Sequence, residues 1–127
     1  MKLGSVAALT LYVSDPQKTA DFYGNLGFIV SKRSEEHSTV RLNWFKIDFL
    51  GQDAEQKDEF KEDAAAEPKG SGIYINCTVS NVDEFYEGVL AKGMKPSSEP
   101  RDWPWGNREF VLRDPDGYKL VFFSKNK

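Results

Sequence analysis

The chain is poor in the residues that most often bind metals or form covalent cross-links. Its 127 residues include one cysteine, Cys77, and one histidine, His37. A single cysteine excludes an internal disulfide framework, and its apolar, strand-like surroundings predict a buried and unreactive thiol. His37 stands in a polar stretch that we interpret as a turn region, and one imidazole is too few for a histidine-based metal centre.

Long hydrophobic runs and an excess of basic charge are also missing. No apolar stretch approaches the length needed to cross a bilayer, and the first residues lack the hydrophobic segment of a signal peptide. Seventeen basic and twenty acidic side chains give a net charge of -3, which argues against an electrostatic nucleic-acid binder. We therefore expect a cytoplasmic protein that binds neither nucleic acid nor a membrane.

The first half of the chain shows the pattern of a strand, a capped helix and three further strands. Residues 6–13 are mainly apolar and predict the first strand. Asp15 is a good N-cap and Pro16 suits the first helical position, so a helix should begin here and end near Gly27. The three strands that follow are predicted at 28–33, 38–43 and 45–50, the last with clean alternation of apolar and polar residues.

The second half repeats this order after an acidic connector, 52–70, which we expect to be solvated and partly helical. A strand is predicted at 72–79, and Asn81 with Glu84 forms a capping-box pattern that opens a helix, with Leu90 among its buried residues. Gly93 should end that helix. Further strands are predicted at 94–98, 108–113 and 118–124, with the turn sequence Asp114-Pro115-Asp116-Gly117 between the last two.

The two halves match in register as well as in order. An offset of 66 residues carries Val13 onto Val79 and Gly27 onto Gly93, which indicates an internal repeat. We therefore predict an α+β fold in one domain, 1–127, built from two tandem βαβββ modules at about 5–51 and 71–125. Two such sheets side by side can form a curled mixed sheet around a cavity.

Several segments resemble a known family. Residues 9–28, with Val13-Ser14-Asp15 and Phe22-Tyr23, and residues 113–118 at the final turn resemble two signatures of the vicinal oxygen chelate superfamily of glyoxalases, bleomycin-resistance proteins and extradiol dioxygenases. The best local match is to the bleomycin-binding resistance proteins. Its evidence is Trp105-Gly106 nine positions before Asp114, the stretch 81–86, and the strand 47–50.

The resemblance also shows what the chain has lost. Enzymes of the superfamily hold a divalent metal with histidine, glutamate or glutamine, and the four corresponding positions here are Ala8, Asp48, Tyr74 and Val121. Alanine and valine cannot bind a metal, and one carboxylate is too little for a transition-metal site. We therefore expect no metal, no other cofactor and no catalytic residue. The resemblance further implies a homodimer.

Without a metal, the same cavity could still bind a small molecule. Side chains on one face of a strand recur with a period of two, and flat aromatic rings can stack on planar or cationic ligands. On this basis we predict ligand contacts from the following residues: Tyr12, Trp44, Asp48, Tyr74, Asn76, Trp103, Trp105, Val121 and Phe123.

Three functions remain open at this point. The favoured one is a non-catalytic binding protein of bleomycin-resistance type that sequesters an aromatic or cationic ligand. The alternative is a glyoxalase-like or dioxygenase-like enzyme, a lyase or isomerase, with an atypical site. The third is a ligand-sensing or structural relative whose pocket is filled by its own side chains.

Overall fold

The computed structural model describes residues 1–126, so Lys127, the last residue of the predicted domain, lies outside it. The chain forms two compact units, Met1–Glu67 and Pro68–Lys127. Each unit contains a four-stranded mixed sheet, and neither sheet closes into a barrel within the described residues. The α+β class is confirmed. No helix in this part of the chain is long and apolar enough to span a membrane.

The first unit follows the predicted order of elements. Its strands and helices are β1 (Leu9–Val13), α1 (Pro16–Asn25), β2 (Ile29–Arg33), β3 (His37–Leu42), β4 (Phe45–Gly51) and, after a single 3₁₀ turn at Asp58–Phe60, α2 (Lys61–Ala65). The strand order in the sheet is β1-β4-β3-β2. β1 runs parallel to β4 and the other neighbours are antiparallel. The connector is partly helical, as predicted, although Ala64 within it is fully buried.

Local chemistry accounts for where α1 begins and how it packs. The Asp15 carboxylate accepts hydrogen bonds from the backbone N–H groups of Gln17 and Lys18, which satisfies donors that have no partner inside the helix. Tyr23 is fully buried and packs its ring against Phe28 and Phe49 at centroid distances of 5.3 and 4.7 Å. Burial of these rings fixes α1 on one face of the sheet.

The second unit has the same topology. It consists of β5 (Tyr74–Thr78), α3 (Val82–Ala91), β6 (Arg101–Asp102), β7 (Asn107–Arg113) and β8 (Lys119–Lys125), in the sheet order β5-β8-β7-β6. Asn81 caps α3 by accepting from the Glu84 N–H. At the β7–β8 turn, the Asp114 carboxylate accepts from two backbone N–H groups, those of Asp116 and Tyr118. Both aspartates at this turn therefore have the structural role that the sequence indicated.

The strand predicted at 94–98 is wrong. This segment is irregular, and the regular strand β6 contains only Arg101 and Asp102. Residues 97 and 98 still run beside β7, because the Ser97 N–H donates to the Val111 carbonyl and the Ser98 hydroxyl accepts from the Val111 N–H. Side-chain hydroxyls that bond to nearby backbone compete with a regular ladder. The prediction that Leu90 is buried is also wrong, since its side chain is 42% exposed.

Candidate ligand-binding site

Each sheet has one face covered by a helix and a second face, which we call the open face. In β4, Ile47 and Phe49 are fully buried on the α1 side, while Asp48 between them is half-buried on the other side. The same alternation in β8 buries Leu120 and Phe122 on one face and places Val121 and Phe123 on the other. The period-two geometry of a strand thus decides which side chains can meet a ligand.

The open face of the second sheet forms a concavity of about 460 Å³. Nine residues line it: Tyr74, Asn76, Trp105, Asn107, Glu109, Val111, Lys119, Val121 and Phe123. Five of them are sequence-predicted contacts. Sequence reasoning missed the β7 residues, although the pairing of Val111 with Val121 and of Glu109 with Phe123 would place them on the same face once the strand register is known.

Trp105 is the most prominent aromatic group in this concavity. Its side chain is 62% exposed, yet the indole Nε1 donates a hydrogen bond of 2.9 Å to Oε2 of Glu109. The ring of Trp103 stacks on it with a centroid distance of 4.8 Å and an angle of 12° between the planes. Arg101 lies 3.8 Å from the Trp103 ring. Trp105 is therefore held in one orientation while much of its surface stays open to solvent.

The turn that carries the two tryptophans has a simple local origin. The Trp103 N–H donates to the Asn107 carbonyl and the Gly106 N–H donates to the Trp103 carbonyl. Gly106 has a φ of +92°, a conformation that glycine adopts without steric cost. Trp103 does not line the concavity and instead supports the ring of Trp105.

The open face of the first sheet carries a polar cluster centred on Asp48. Oδ1 of Asp48 accepts a 2.6 Å hydrogen bond from the Thr39 hydroxyl and lies 3.3 Å from Nε2 of His37. His37 was predicted in a turn region, which is wrong, because it is the first residue of β3. The turn lies directly before His37, and the Ser34 hydroxyl closes it by donating to the His37 carbonyl and accepting from the His37 N–H.

Tyr12, another predicted contact, is held by the connector. Its hydroxyl donates a 2.8 Å hydrogen bond to Oε2 of Glu55. Partial burial, followed by the hydrogen bond and the negative charge of Glu55, raises the pKa of Tyr12 to about 12. The pKa of Glu55 is lowered, first by the backbone N–H of Lys57 and then by the Tyr12 hydroxyl. The connector, to which the sequence assigned no role, therefore fixes a residue of the open face.

Trp44 occupies a different environment from the other predicted contacts. It lies in the tight turn between β3 and β4, next to Asn43, whose φ is 54°. Its side chain is 97% exposed, and Leu42 and Phe45 beside it are 44% and 45% exposed. The turn thus presents an apolar tip to solvent.

The four positions at which the superfamily resemblance places metal ligands do not fit a metal ion. Ala8 and Val121 have no donor atom, and Tyr74 offers only a phenol that is 60% exposed. Asp48 already accepts from Thr39 at Oδ1. Within residues 1–126, no group of three or more His, Cys, Asp or Glu side chains is placed to hold a metal. We therefore derive no reaction step through a metal.

Residues 5–122 match the sequence profile of the Glyoxalase/Bleomycin resistance protein/Dioxygenase superfamily. The chain belongs to this superfamily. The bleomycin resistance proteins of Geobacillus stearothermophilus and Staphylococcus aureus are 26% identical to it, over 98% of both chains. The uncharacterized protein YraH of Bacillus subtilis strain 168 is 30% identical over 85% of this chain and 88% of its own.

Solved structures agree with this assignment at the level of the fold. A glyoxalase/bleomycin resistance protein/dioxygenase from Nocardioides superposes with a TM-score of 0.78 at 21% identity, covering 100% of this chain and 87% of its own. A superfamily member from Sphaerobacter thermophilus gives a TM-score of 0.75 at 23% identity, with coverage of 95% and 97%. The vicinal oxygen chelate resemblance read from the sequence is confirmed.

Proposed function

We propose that this protein is a non-catalytic small-molecule binding protein of bleomycin-resistance type. It would lower the free concentration of an aromatic or cationic ligand by forming a stoichiometric complex. The observation that carries the proposal is the concavity on the second sheet, where the exposed ring of Trp105 lies beside the carboxylate of Glu109. The curated relatives named for bleomycin resistance support the same class of function.

The geometry around Trp105 favours binding for a physical reason. An aromatic face can stack on a planar group and attract a cation, and a side chain already held in place loses less conformational entropy when a ligand arrives. The Glu109 hydrogen bond and the Trp103 ring provide that support. Glu109 also adds a negative charge within reach of a cation on the ring.

The remaining predicted contacts belong to the same proposal. Asp48 and Tyr12 lie on the open face of the first sheet, and Trp44 lies at the exposed β3–β4 turn. A glyoxalase-like or dioxygenase-like reaction is less well supported, because the donor atoms at the metal-ligand positions do not fit a metal.

The proposal is tested by calorimetric titration of the purified protein with bleomycin and, separately, with phleomycin. We expect saturable binding with one ligand per chain and quenching of tryptophan fluorescence. Trp105→Ala should weaken binding by about 5- to 30-fold, since an aromatic stack with a cation contributes about 1–2 kcal/mol. Phe60→Ala is a matched control, because Phe60 is also an exposed aromatic residue and contacts a cation, Lys57.

Calorimetry is needed beside fluorescence because Trp105→Ala also removes a reporter. Absence of heat and of quenching with both drugs would contradict the proposed function. So would a stoichiometric bound metal whose removal by a chelator abolishes an enzymatic activity.

We also propose a homodimer, as the superfamily resemblance implies. The apolar tip formed by Leu42, Trp44 and Phe45 is the kind of exposed patch that association covers. Light scattering coupled to size-exclusion chromatography should give twice the mass of the chain. A monomer mass at tens of micromolar protein would overturn this proposal.

A further inference from the structure

Two basic residues face each other on the open face of the first sheet. Arg41 of β3 is the direct register partner of Lys46 of β4. Both lie on the same face as Asp48, since side chains two residues apart on a strand point the same way. Like charges directly opposite each other in an antiparallel pair are destabilising. We therefore expect such a pair to have either a neighbouring acid that offsets the repulsion or a function that requires both positive charges.

Arg41 has no compensating partner within residues 1–126, although its side chain is half-buried. Every other arginine in that range has one. These partners are Asp21 for Arg33, the Trp103 ring for Arg101, Asp83 and Asp102 for Arg108, and the Gly117 carbonyl for Arg113. A half-buried guanidinium carries five N–H donors and a fixed charge. The donors that burial removes from water are costly to leave without an acceptor.

The internal repeat supplies a comparison within the same chain. In the second sheet, Arg113 is the register partner of Lys119, at the position equivalent to the pair in the first sheet. There, Nη1 of Arg113 donates to the Gly117 carbonyl in the β7–β8 turn. The second pair is therefore partly satisfied by its own turn, whereas the shorter β3–β4 turn gives Arg41 no such acceptor among the described residues.

Asp48 is the nearest acid along these strands, and it is engaged elsewhere. Its Oδ1 accepts from Thr39 and lies next to His37, and it forms no ion pair with Arg41 or Lys46 in the described chain. Lys32, the register partner of Thr39, adds a third base to the same face. The acids on this face are Asp48 and Glu55, which accepts from Tyr12, so the three basic side chains outnumber the two carboxylates.

We propose that Arg41 and Lys46 bind an anionic oxygen group, a carboxylate or a phosphate, on the open face of the first sheet. The planar guanidinium fork matches either group with two parallel hydrogen bonds, and the lysine ammonium adds a point charge. Neither residue lines the Trp105 concavity, and the proposal does not rest on the proposed function.

The site is tested by NMR titration of the isotope-labelled protein with sodium phosphate and, in a second series, with sodium acetate. Sodium chloride keeps the ionic strength constant in both. We expect saturable shifts of the Arg41 side-chain N–H and of the backbone amides of β3 and β4. Saturation with phosphate alone assigns a phosphate site, and saturation with acetate alone assigns a carboxylate site. Saturation with both supports a general oxyanion site.

Three variants separate the site from general electrostatics. Arg41→Gln should weaken anion binding by about tenfold or more, as expected when a charge-assisted hydrogen bond is lost. Arg41→Lys keeps the charge without the fork and should weaken it less. Arg113→Gln removes the same charge from the equivalent pair in the second sheet and should leave these shifts unchanged.

Shifts that grow linearly without saturation, or that survive in Arg41→Gln, would overturn the proposal. So would an equal loss in Arg113→Gln. The outcome is independent of the drug titration, because that experiment uses different ligands and tests a different residue, Trp105.

Discussion

Glu109→Gln is the sharpest test of how the Trp105 concavity would select a cation. Glu109 is the one carboxylate among the residues that line it. The amide oxygen of glutamine can still accept from Nε1 of Trp105, which bonds to Oε2 of Glu109 at 2.9 Å. The substitution therefore removes the negative charge while preserving the support for the ring.

The magnitude follows from Coulomb attraction at a half-buried position. Two unit charges about 4 Å apart attract by about 1 kcal/mol in water and about 4 kcal/mol at an effective dielectric constant of about 20. Glu109 is half-buried, so we expect a loss of about 1–2 kcal/mol, or roughly tenfold in the dissociation constant. The loss should shrink as salt is raised, because charges are screened over about 10 Å at 0.1 M ionic strength.

The assay is calorimetric titration with bleomycin at low and at high salt, for the wild type and for Glu109→Gln. Glu87→Gln is the matched control, since Glu87 is an exposed carboxylate of α3 and the change in net charge is the same. Equal affinity of the wild type and Glu109→Gln at low salt would refute the reasoning. An equal loss in Glu87→Gln would show that only the net charge of the protein matters.

Three further predictions concern the rest of the chain. Burial raises the pKa of Cys77 to about 11 from 9.0, so alkylation at mildly basic pH should be about 100-fold slower in the native than in the unfolded protein; equal rates would contradict this. Tyr12 should ionise near pH 12, and in Glu55→Gln its pKa should fall but stay above 10.0, because burial, the first cause of the shift, remains. Because folding raises this pKa, the associated stability is complete below about pH 10 and is lost as the pH rises through 12. Thr39→Val should lower the free energy of unfolding by about 1 kcal/mol, measured by urea denaturation, but not in an Asp48→Ala background, which removes the acceptor of the Thr39 hydroxyl; additive effects would show that this hydrogen bond contributes nothing.

Prediction from the sequence succeeded where the interactions that determine the structure join residues close together in the chain. Asp15 and Asn81 cap helices through backbone groups two or three residues away, and Asp114 organises its turn through N–H groups two and four residues away. Such signals are contained in a few neighbouring residues. Together with the 66-residue repeat, they predicted the α+β class, while the superfamily came from the resemblance of residues 9–28 and 113–118 to its signatures.

The site was predicted only in part, because its contacts depend on strand register. Alternation placed Asn76 on the face of Tyr74 in β5, and the superfamily resemblance placed Tyr74 and Val121 in one cavity, where the structure also has them. Glu109 could not be assigned to that face until the pairing of β7 with β8 was known. A shift of one residue in that pairing would have turned it to the opposite face.

By itself, the sequence determined the capped helices, the repeated module and the superfamily. The tertiary structure decided which polar groups meet. It paired Tyr12 with Glu55, 43 residues away, brought His37 to Asp48, and left Arg41 opposite Lys46. The physical reason is that a cap or a turn is closed by its own neighbours, whereas a cross-strand or connector contact forms only after packing has fixed how distant segments align.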